Sequence, residues 1–242
     1  MSKKLKVIAV MPAYNAARTL TKTYRDIPVG TVSEVLVVDD GSRDATVRVA
    51  RRLGLKVVVH PRNRGYGGNQ KTCYTLALSQ GADVVVMIHP DYQYDSALTG
   101  ELVRPILQGR FDIMLGSRIR TRAESAKGGM PLYKYFSNRF LTLLENLVLG
   151  QNLSEYHTGF RAYSRQILSR LPFHRYSDDF VFDQQILLGA IAAGARIGEI
   201  PVPVRYFPEA SSINFRHAAV YGLSILRDLT LHLLTSGKRF LR

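Results

Sequence analysis

Hydrophobic positions in the first half of the chain fall in short, β-branched blocks separated by stretches of helical periodicity. The blocks are KVIAVM, EVLVVDD, LKVVVH, DVVVMIH and FDIMLG. Each is bounded by turn residues and is nearly continuous in hydrophobicity, the pattern of strands covered on both faces. Between them, apolar residues recur at helical spacing over residues 16–27, 43–53, 68–79 and 97–107. Strand and helix alternating in this way predict βαβ units: an α/β fold with a mainly parallel, doubly wound sheet flanked by helices. Ligands of such sheets bind beyond the carboxyl ends of the strands, so the polar residues there are the candidates for chemistry.

The second half follows a different pattern. PLYKYFSNRFLTLLENLVLG predicts one helix, with Pro131 suited to its first turn and Gly150 to its C-terminal stop. Lys134, Asn138, Thr142 and Glu145 recur every three or four positions, a narrow polar stripe on an otherwise apolar helix. An ordinary core-packing helix is the first expectation, and a membrane-contacting helix the second. RIGEIPVPVRYF reads as a late strand, which Pro201 and Pro203 place at an edge or end. The final stretch, FRHAAVYGLSILRDLTLHLLTSGKRFLR, is amphipathic, with Leu223, Leu226, Leu229 and Leu233 at helical spacing and Lys238, Arg239 and Arg242 at its end. It suits docking on an anionic membrane, or alternatively packing on the domain or self-association.

Composition narrows the partners. The 242 residues are 46% hydrophobic and 21% charged, as in a soluble globular protein. With 33 Lys and Arg against 19 Asp and Glu, the formal charge of +14 calls for anionic partners: nucleic acid, an acidic membrane surface or phosphorylated small molecules. Nucleic acid is not expected, because no helix-turn-helix, zinc or RNA-recognition signature is present and the basic residues are spread along the chain. A dinucleotide-dependent oxidoreductase is disfavoured too, since no G-x-G-x-x-G follows the first strand. The single cysteine, Cys73, excludes an internal disulfide and fits a reducing compartment. The basic start MSKKLKVIAVMP is too short in apolar length for a signal peptide, and no uninterrupted apolar run reaches the length of a membrane span.

The strand ends carry the candidate chemistry. After the first strand, Pro12 and Asn15 make a turn whose following helix start offers backbone N–H groups to an anion. After the second, Asp39 and Asp40 sit beside Gly41, and Ser42 and Asp44 suit a helix start. Two adjacent carboxylates pointing to opposite sides leave one free for a ribose hydroxyl or a base N–H. In NRGYGGNQKT, Gln70 stands where a phosphate-binding loop needs its second glycine, so a Gly-rich turn allowing close backbone approach is the better reading. After the fourth strand, His89 precedes Pro90 and is pushed to an extended conformation. Continued extension would put His89, Asp91 and Gln93 on one face, a sparse set suited to Mg²⁺ or Mn²⁺ completed by substrate phosphates and water. Asp95 suits a cap for the helix beginning near Ser96.

PAYNA, VVDDGSRDAT, NRGYGGN, the acid-containing fourth strand end, GSR and TGFRAYSR occur in an order that resembles family-2 glycosyltransferases of the GT-A (nucleotide-diphospho-sugar transferase) fold. The similarity is to the branch of dolichyl-phosphate mannose synthase and polyprenyl-phosphate glycosyltransferases, over roughly residues 5–210. It implies inverting, metal-dependent transfer of a sugar from a UDP- or GDP-linked donor to a polyprenyl phosphate, or to a saccharide or small-molecule hydroxyl. A cytoplasmic enzyme, peripheral at the cytoplasmic membrane face, is expected. The implied nucleotide-binding residues are Pro12, Ala13, Tyr14, Asn15, Asp39, Asp40, Gly67 and His89. Asp91 and Gln93 would hold Mg²⁺ or Mn²⁺. Asp91, Arg118, Lys134 and Arg161 would act on the phosphates of donor and acceptor.

Three positions depart from the family pattern: His89 replaces the first acid after the fourth strand, Ala16 replaces a glutamate, and Lys134 replaces an arginine. Asp178, Asp179 and Asp183 offer a general base for a hydroxyl acceptor, the role given to Asp179. Alternatively they cap a helix and bind a late arginine such as Arg205. The resemblance divides a single domain into a nucleotide-binding half (1–117), an acceptor half (118–210) and the C-terminal amphipathic segment (211–242).

Overall fold

The structure, a computed structural model, describes residues 5–118, 132–203, 205, 215–235 and 238–241. The predicted alternation is present through β1 (Val7–Ala13), α1 (Leu20–Arg25), β2 (Glu34–Asp39), α2 (Thr46–Arg52), β3 (Lys56–Val59), α3 (Tyr66–Ser79), β4 (Val84–Met87), α4 (Thr99–Leu107) and β5 (Ile113–Ser117). Then follow α5 (Leu132–Leu149), β6 (Arg161–Ser164), α6 (Arg165–Arg170), α7 (Phe182–Ala192), β7 (Ile197–Pro201) and α8 (Phe215–Thr235). Seven strands form one sheet in the order β3-β2-β1-β4-β6-β5-β7.

All neighbouring pairs run parallel except those of β6, which lies antiparallel between β4 and β5. That insertion pairs Met87 with Arg161 and so brings the TGFRAYSR segment beside the end of β4. Alternating side chains of the strands feed two cores. Ile8, Val10, Leu36 and Val85 face the layer of α3, α7 and α8, whereas Ala9, Met11, Val37 and Val86 face the layer of α1, α2 and α4. One strand departs from the doubly covered expectation: Val58 and Val59 of β3 are exposed, because β3 is the sheet's edge. Three consecutive valines mark a strand but carry no information about its place in the sheet.

The helix α5 packs on the core through Leu149, Leu141, Leu144 and Val148, yet also buries its polar stripe. Its polar residues Asn138, Thr142 and Glu145 are buried, while Tyr133, Phe136, Phe140, Leu143 and Leu147 are exposed, Phe136 at 62% and Leu147 at 72%. The buried stripe holds the segment 153–157. Asn138 Nδ2 donates to Glu155 Oε1 (2.9 Å), Asn146 bonds both backbone groups of Leu153, and Glu145 Oε2 lies 3.1 Å from His157 Nε2.

In α8, Ile225 and Leu229 are buried whereas Leu223, Leu226, Leu233 and Leu234 are exposed. Tyr221 meets His157 Nδ1 (3.0 Å), and Asp228 accepts from Gln185 Nε2 (2.8 Å), so α8 is docked on the domain through its inner face. Among the described residues, no helix is long and apolar enough to cross a membrane.

Candidate active site

A cleft opens at the carboxyl ends of β1, β2 and β4, lined by Pro12, Ala13, Tyr14, Asp40, Asn69 and Asp91 together with Tyr66, His89 and Phe180. Its floor is made by the turns that leave the strands. Asn15 takes a left-handed conformation (φ 52°), a geometry asparagine tolerates. Asn15 N donates to Ser42 Oγ (2.8 Å), and Asn15 Oδ1 accepts from Arg43 N (2.9 Å), which fixes the β1 turn to the β2 turn. Asp44 accepts from the backbone of both Thr46 and Ala17, and these bonds, led against burial by the Thr46 hydroxyl, hold its carboxyl below the usual range.

The two adjacent acids divide their work. Asp40 is spent on its own chain: Oδ1 meets His60 Nδ1 (2.7 Å) and accepts from Arg64 N, and Oδ2 accepts from Gly65 N. Asp39 Oδ2 accepts from Ser42 N (2.9 Å), but its Oδ1 is buried without a partner. Asn69 Oδ1, on a residue lining the cleft, is likewise buried and unpartnered. A buried acceptor left bare costs about 1–3 kcal/mol, so Asn69 Oδ1, on the cleft lining, is suited to a ligand hydroxyl or N–H group, whereas Asp39 is not among the lining residues.

The glycines of GYGG make room for the protein's own backbone. A Cβ on Gly65 would lie 2.6 Å from Asp178 O, and one on Gly67 would lie 2.4 Å from Ser177 O. Gly67 N donates to that Asp178 carbonyl (2.7 Å). Lys71 is turned to the same segment, reaching Tyr176 O and Asp178 Oδ1. Gly67 therefore seats the 177–178 segment, which carries Phe180 to the cleft.

The turn after β4 is tighter than an extended chain. The strand ends at Met87, and Tyr92 has φ 61°, so His89, Asp91 and Gln93 do not alternate along a strand as the sequence suggested. The arrangement is instead an Asp-centred turn in which Asp91 Oδ1 accepts from Gln93 N (3.1 Å). Burial pushes the Asp91 carboxyl up, opposed by the turn bond and by the nearby His89 and Arg118. Burial likewise lowers His89, against the pull of Asp91 and Asp183. Asp95 caps the turn Ser96–Leu98, accepting from Ala97 N.

Among the described residues no group of three His, Cys, Asp or Glu side chains could hold a metal alone. The cleft nevertheless fits a divalent cation that is completed by its substrate. The Asp91 carboxylate and the His89 imidazole both line it, and Mg²⁺-type sites commonly use one or two carboxylates plus substrate phosphates. Gln93 is buried and is not among the lining residues.

Arg118, Arg161 and Asp179 are not among the residues that line the cleft. Arg118 pairs with fully buried Glu155: its Nε donates to Oε1 (2.8 Å), its backbone N to Oε2 (2.7 Å), and NH2 reaches the His157 carbonyl. Burial raises Glu155, but the Arg118 charge and hydrogen bonds outweigh it and keep the carboxyl below its usual range. Arg161 is buried and donates to the carbonyls of Thr158, Asp183 and Tyr156. Lys134 belongs to α5, and its side chain lies outside the described residues. Asp179 is exposed and accepts from Phe180 N (2.7 Å). Arg205 approaches Asp95 (4.0 Å) and stacks over Tyr92, rather than meeting any of the three acids of the YSDDFVFD segment.

Of those three acids, Asp183 is the one drawn to the cleft wall. It accepts from the Tyr66 hydroxyl (2.7 Å) and from Gln70 Nε2 (3.0 Å). Tyr66 and Phe180 had no assigned role from sequence. The available signal was an aromatic residue inside a Gly-rich turn, and only the fold reveals that it stacks on His89.

A mostly parallel sheet with an antiparallel insertion, and a cleft at its carboxyl edge lined by Asp40 and Asp91, make up the GT-A fold. The profile of Glycosyl transferase family 2 matches residues 8–171, and the chain belongs to that family. It is 26% identical over 223 residues to the UDP-N-acetylglucosamine–dolichyl-phosphate N-acetylglucosaminyltransferase of Methanococcus voltae, covering 85% of this chain and 88% of that one. It is 30% identical over 214 residues to glycosyltransferase AglD of Haloferax volcanii, covering 82% of this chain but 33% of that longer one. In structure it resembles glucosyl-3-phosphoglycerate synthase of Mycobacterium tuberculosis solved with Mg²⁺ and UDP. The TM-score is 0.71 at 20% identity, over 96% of this chain and 79% of that one.

Proposed function

We propose that the enzyme transfers a sugar from a UDP- or GDP-linked donor to a polyprenyl phosphate at an anionic membrane surface, with inversion at the sugar's anomeric carbon. The observation that carries the reading is α5, whose buried polar stripe grips the 153–157 segment while its row Phe136, Phe140, Leu143 and Leu147 is turned outward. A lipid-borne acceptor requires an apolar surface joined rigidly to the site, and this helix supplies it. The lipid-phosphate acceptor of the M. voltae relative supports the same choice.

The donor's nucleoside would lie between the β1 and β2 turns, against Tyr14, Asp40 and the unpartnered Asn69 Oδ1, with Asp39 behind them at the strand end. Asp91, with Gln93, would hold Mg²⁺ or Mn²⁺, which would neutralise the leaving diphosphate. In the reaction a phosphate oxygen of the acceptor bonds to the anomeric carbon as the bond to the diphosphate oxygen breaks. That nucleophile is already an anion, so no base is required. The acids fit this, since Asp183 is held by Tyr66 and Gln70, and Asp178 and Asp179 are exposed.

The test is radiolabelled transfer from a UDP- and GDP-sugar panel with Mn²⁺ to polyprenyl phosphate and, in parallel, to the free polyprenol and to saccharides. Label on the phosphate alone, in a product of inverted anomeric configuration and absent with Asp91→Ala, is expected. Transfer to a saccharide hydroxyl but not to the lipid phosphate would overturn the acceptor assignment.

A further inference from the structure

We propose that His89 is a nitrogen ligand to the divalent cation of the donor complex, presenting Nδ1 in a tautomer set by Tyr66 and Asp183, and that it shifts the site's preference from Mg²⁺ toward transition-metal ions. The inference rests on the donor-site reading above and deepens it.

The argument begins with a count of protons. The Tyr66 hydroxyl has one hydrogen, and it lies in the 2.7 Å bond to Asp183 Oδ2. The same oxygen is 3.2 Å from His89 Nε2, so the hydrogen of that second contact comes from the imidazole. Nε2 is therefore protonated and Nδ1 carries the lone pair. Among the described residues Nδ1 has no hydrogen-bond partner, and its ring lines the cleft two residues before Asp91.

The ring is also held against rotation. Tyr66 stacks on it at 5.4 Å between centroids with 6° between planes, and Phe180 backs Tyr66 at 4.7 Å. On another side lies Gly159 of TGF, where a Cβ would sit 2.7 Å from His89 Cδ2 and 2.8 Å from Nε2. The imidazole fits only because residue 159 has no side chain. Asp183 is itself fixed through its other oxygen by Gln70 Nε2 (3.0 Å). A hydrogen bond from a ligand histidine's other N–H to a fixed acceptor sets its tautomer and orientation, and here that acceptor is the Tyr66 oxygen, itself held by Asp183.

The chemical consequence is a change of donor set. A carboxylate at position 89 would add a hard, charged oxygen, which suits Mg²⁺, whereas imidazole nitrogen is a borderline ligand favoured by transition-metal ions. Tyr66 and Asp183 act through His89 and are positioning residues.

The test uses the full-length protein with Mn²⁺ and UDP, and with Mn²⁺ and GDP in a parallel sample, examined by pulsed electron paramagnetic resonance. The expected spectrum has ³¹P coupling from the diphosphate together with directly bound ¹⁴N, the latter replaced by ¹⁵N on labelling with [¹⁵N]histidine. His89→Asp should keep the phosphorus coupling, lose the nitrogen, and move the Mg²⁺-to-Co²⁺ affinity ratio toward Mg²⁺ by about tenfold. Tyr66→Phe preserves the stack but frees the tautomer, and should weaken Co²⁺ binding by about 10–100-fold with an unchanged circular dichroism spectrum. Phosphorus coupling without histidine nitrogen, or the same metal preference in the wild type and His89→Asp, overturns the ligation and leaves the donor site standing. Absence of phosphorus-coupled Mn²⁺ with both nucleotides overturns the donor-site reading as well.

Discussion

Arg118 shows how a residue's surroundings decide what its removal will do. From sequence alone, its loss should lower turnover while the fold persists. In the structure its guanidinium and backbone N–H satisfy both oxygens of Glu155, whose side chain is wholly inaccessible to solvent. Removing one partner of such a pair leaves an uncompensated buried charge and costs about 3–5 kcal/mol. Arg118→Ala should therefore lower the urea midpoint sharply. Arg118→Met combined with Glu155→Leu should recover most of the loss, because apolar replacement of both partners is often close to neutral. Equal stability of wild type and Arg118→Ala in urea melts would show that the pair carries no net weight, and would return Arg118 to a role confined to substrate phosphates.

At the scale of elements, β5 and β7 are tied at their beginnings by Asp112. Its carboxylate accepts from Arg196 N, Nε and NH2 at 2.9, 3.0 and 3.1 Å, and these bonds, outweighing a smaller burial effect, hold its pKa below the ordinary value. A carboxyl with a depressed native pKa contributes stability above its unfolded pKa and loses it as pH falls through the native one. Asp112→Asn should thus melt below the wild type at neutral pH, and the gap should close as the solution is acidified below about pH 4. A gap independent of pH would mean that the side chain acts by shape rather than charge.

The same scale shows which elements the sequence made legible. The blocks around Val10, Val37 and Val86 were readable because strands buried on both faces are apolar throughout. β6 was not. Arg161 to Ser164 has no strand periodicity, and its place between β4 and β5 is fixed by pairing with residues far away in the chain. The site divides in the same way. Asp39, Asp40 and Asp91 stand at or just beyond strand ends and could be found there, whereas Tyr66 and Gly159 reach the imidazole, and Phe180 backs Tyr66, only through folding. The orientation of α5 was also hidden, because periodicity reveals that a helix has two faces but not which one the protein keeps.

For the whole molecule, the outward faces of α5 and α8 raise the question of what covers them. The two helices pack against each other, and His157 lies between them, meeting Glu145 of one and Tyr221 of the other. Exposed apolar residues on both include Phe136, Phe140, Leu147, Leu223 and Leu234, and large apolar patches on a surface mark interaction sites. The formal charge of +14 favours an anionic lipid surface as the cover. Each side chain buried at the acyl boundary contributes at most about 1.5–3 kcal/mol, and each nearby basic residue about 1 kcal/mol, which together give reversible attachment. Deleting the chain from Phe215 onward would be a poor test, because Ile225 and Leu229 belong to the core and their loss would expose it. Point variants on the outward faces avoid this. Phe140→Ser with Leu147→Ser, and separately Leu223→Ser with Leu234→Ser, should keep the melting temperature within a few degrees. Each pair should release the protein from sedimenting vesicles that contain acidic phospholipid, and high salt should weaken binding of the wild type. Vesicle binding that is unaltered in both double variants, or wild type that ignores acidic vesicles altogether, would reject the membrane surface and favour a soluble acceptor.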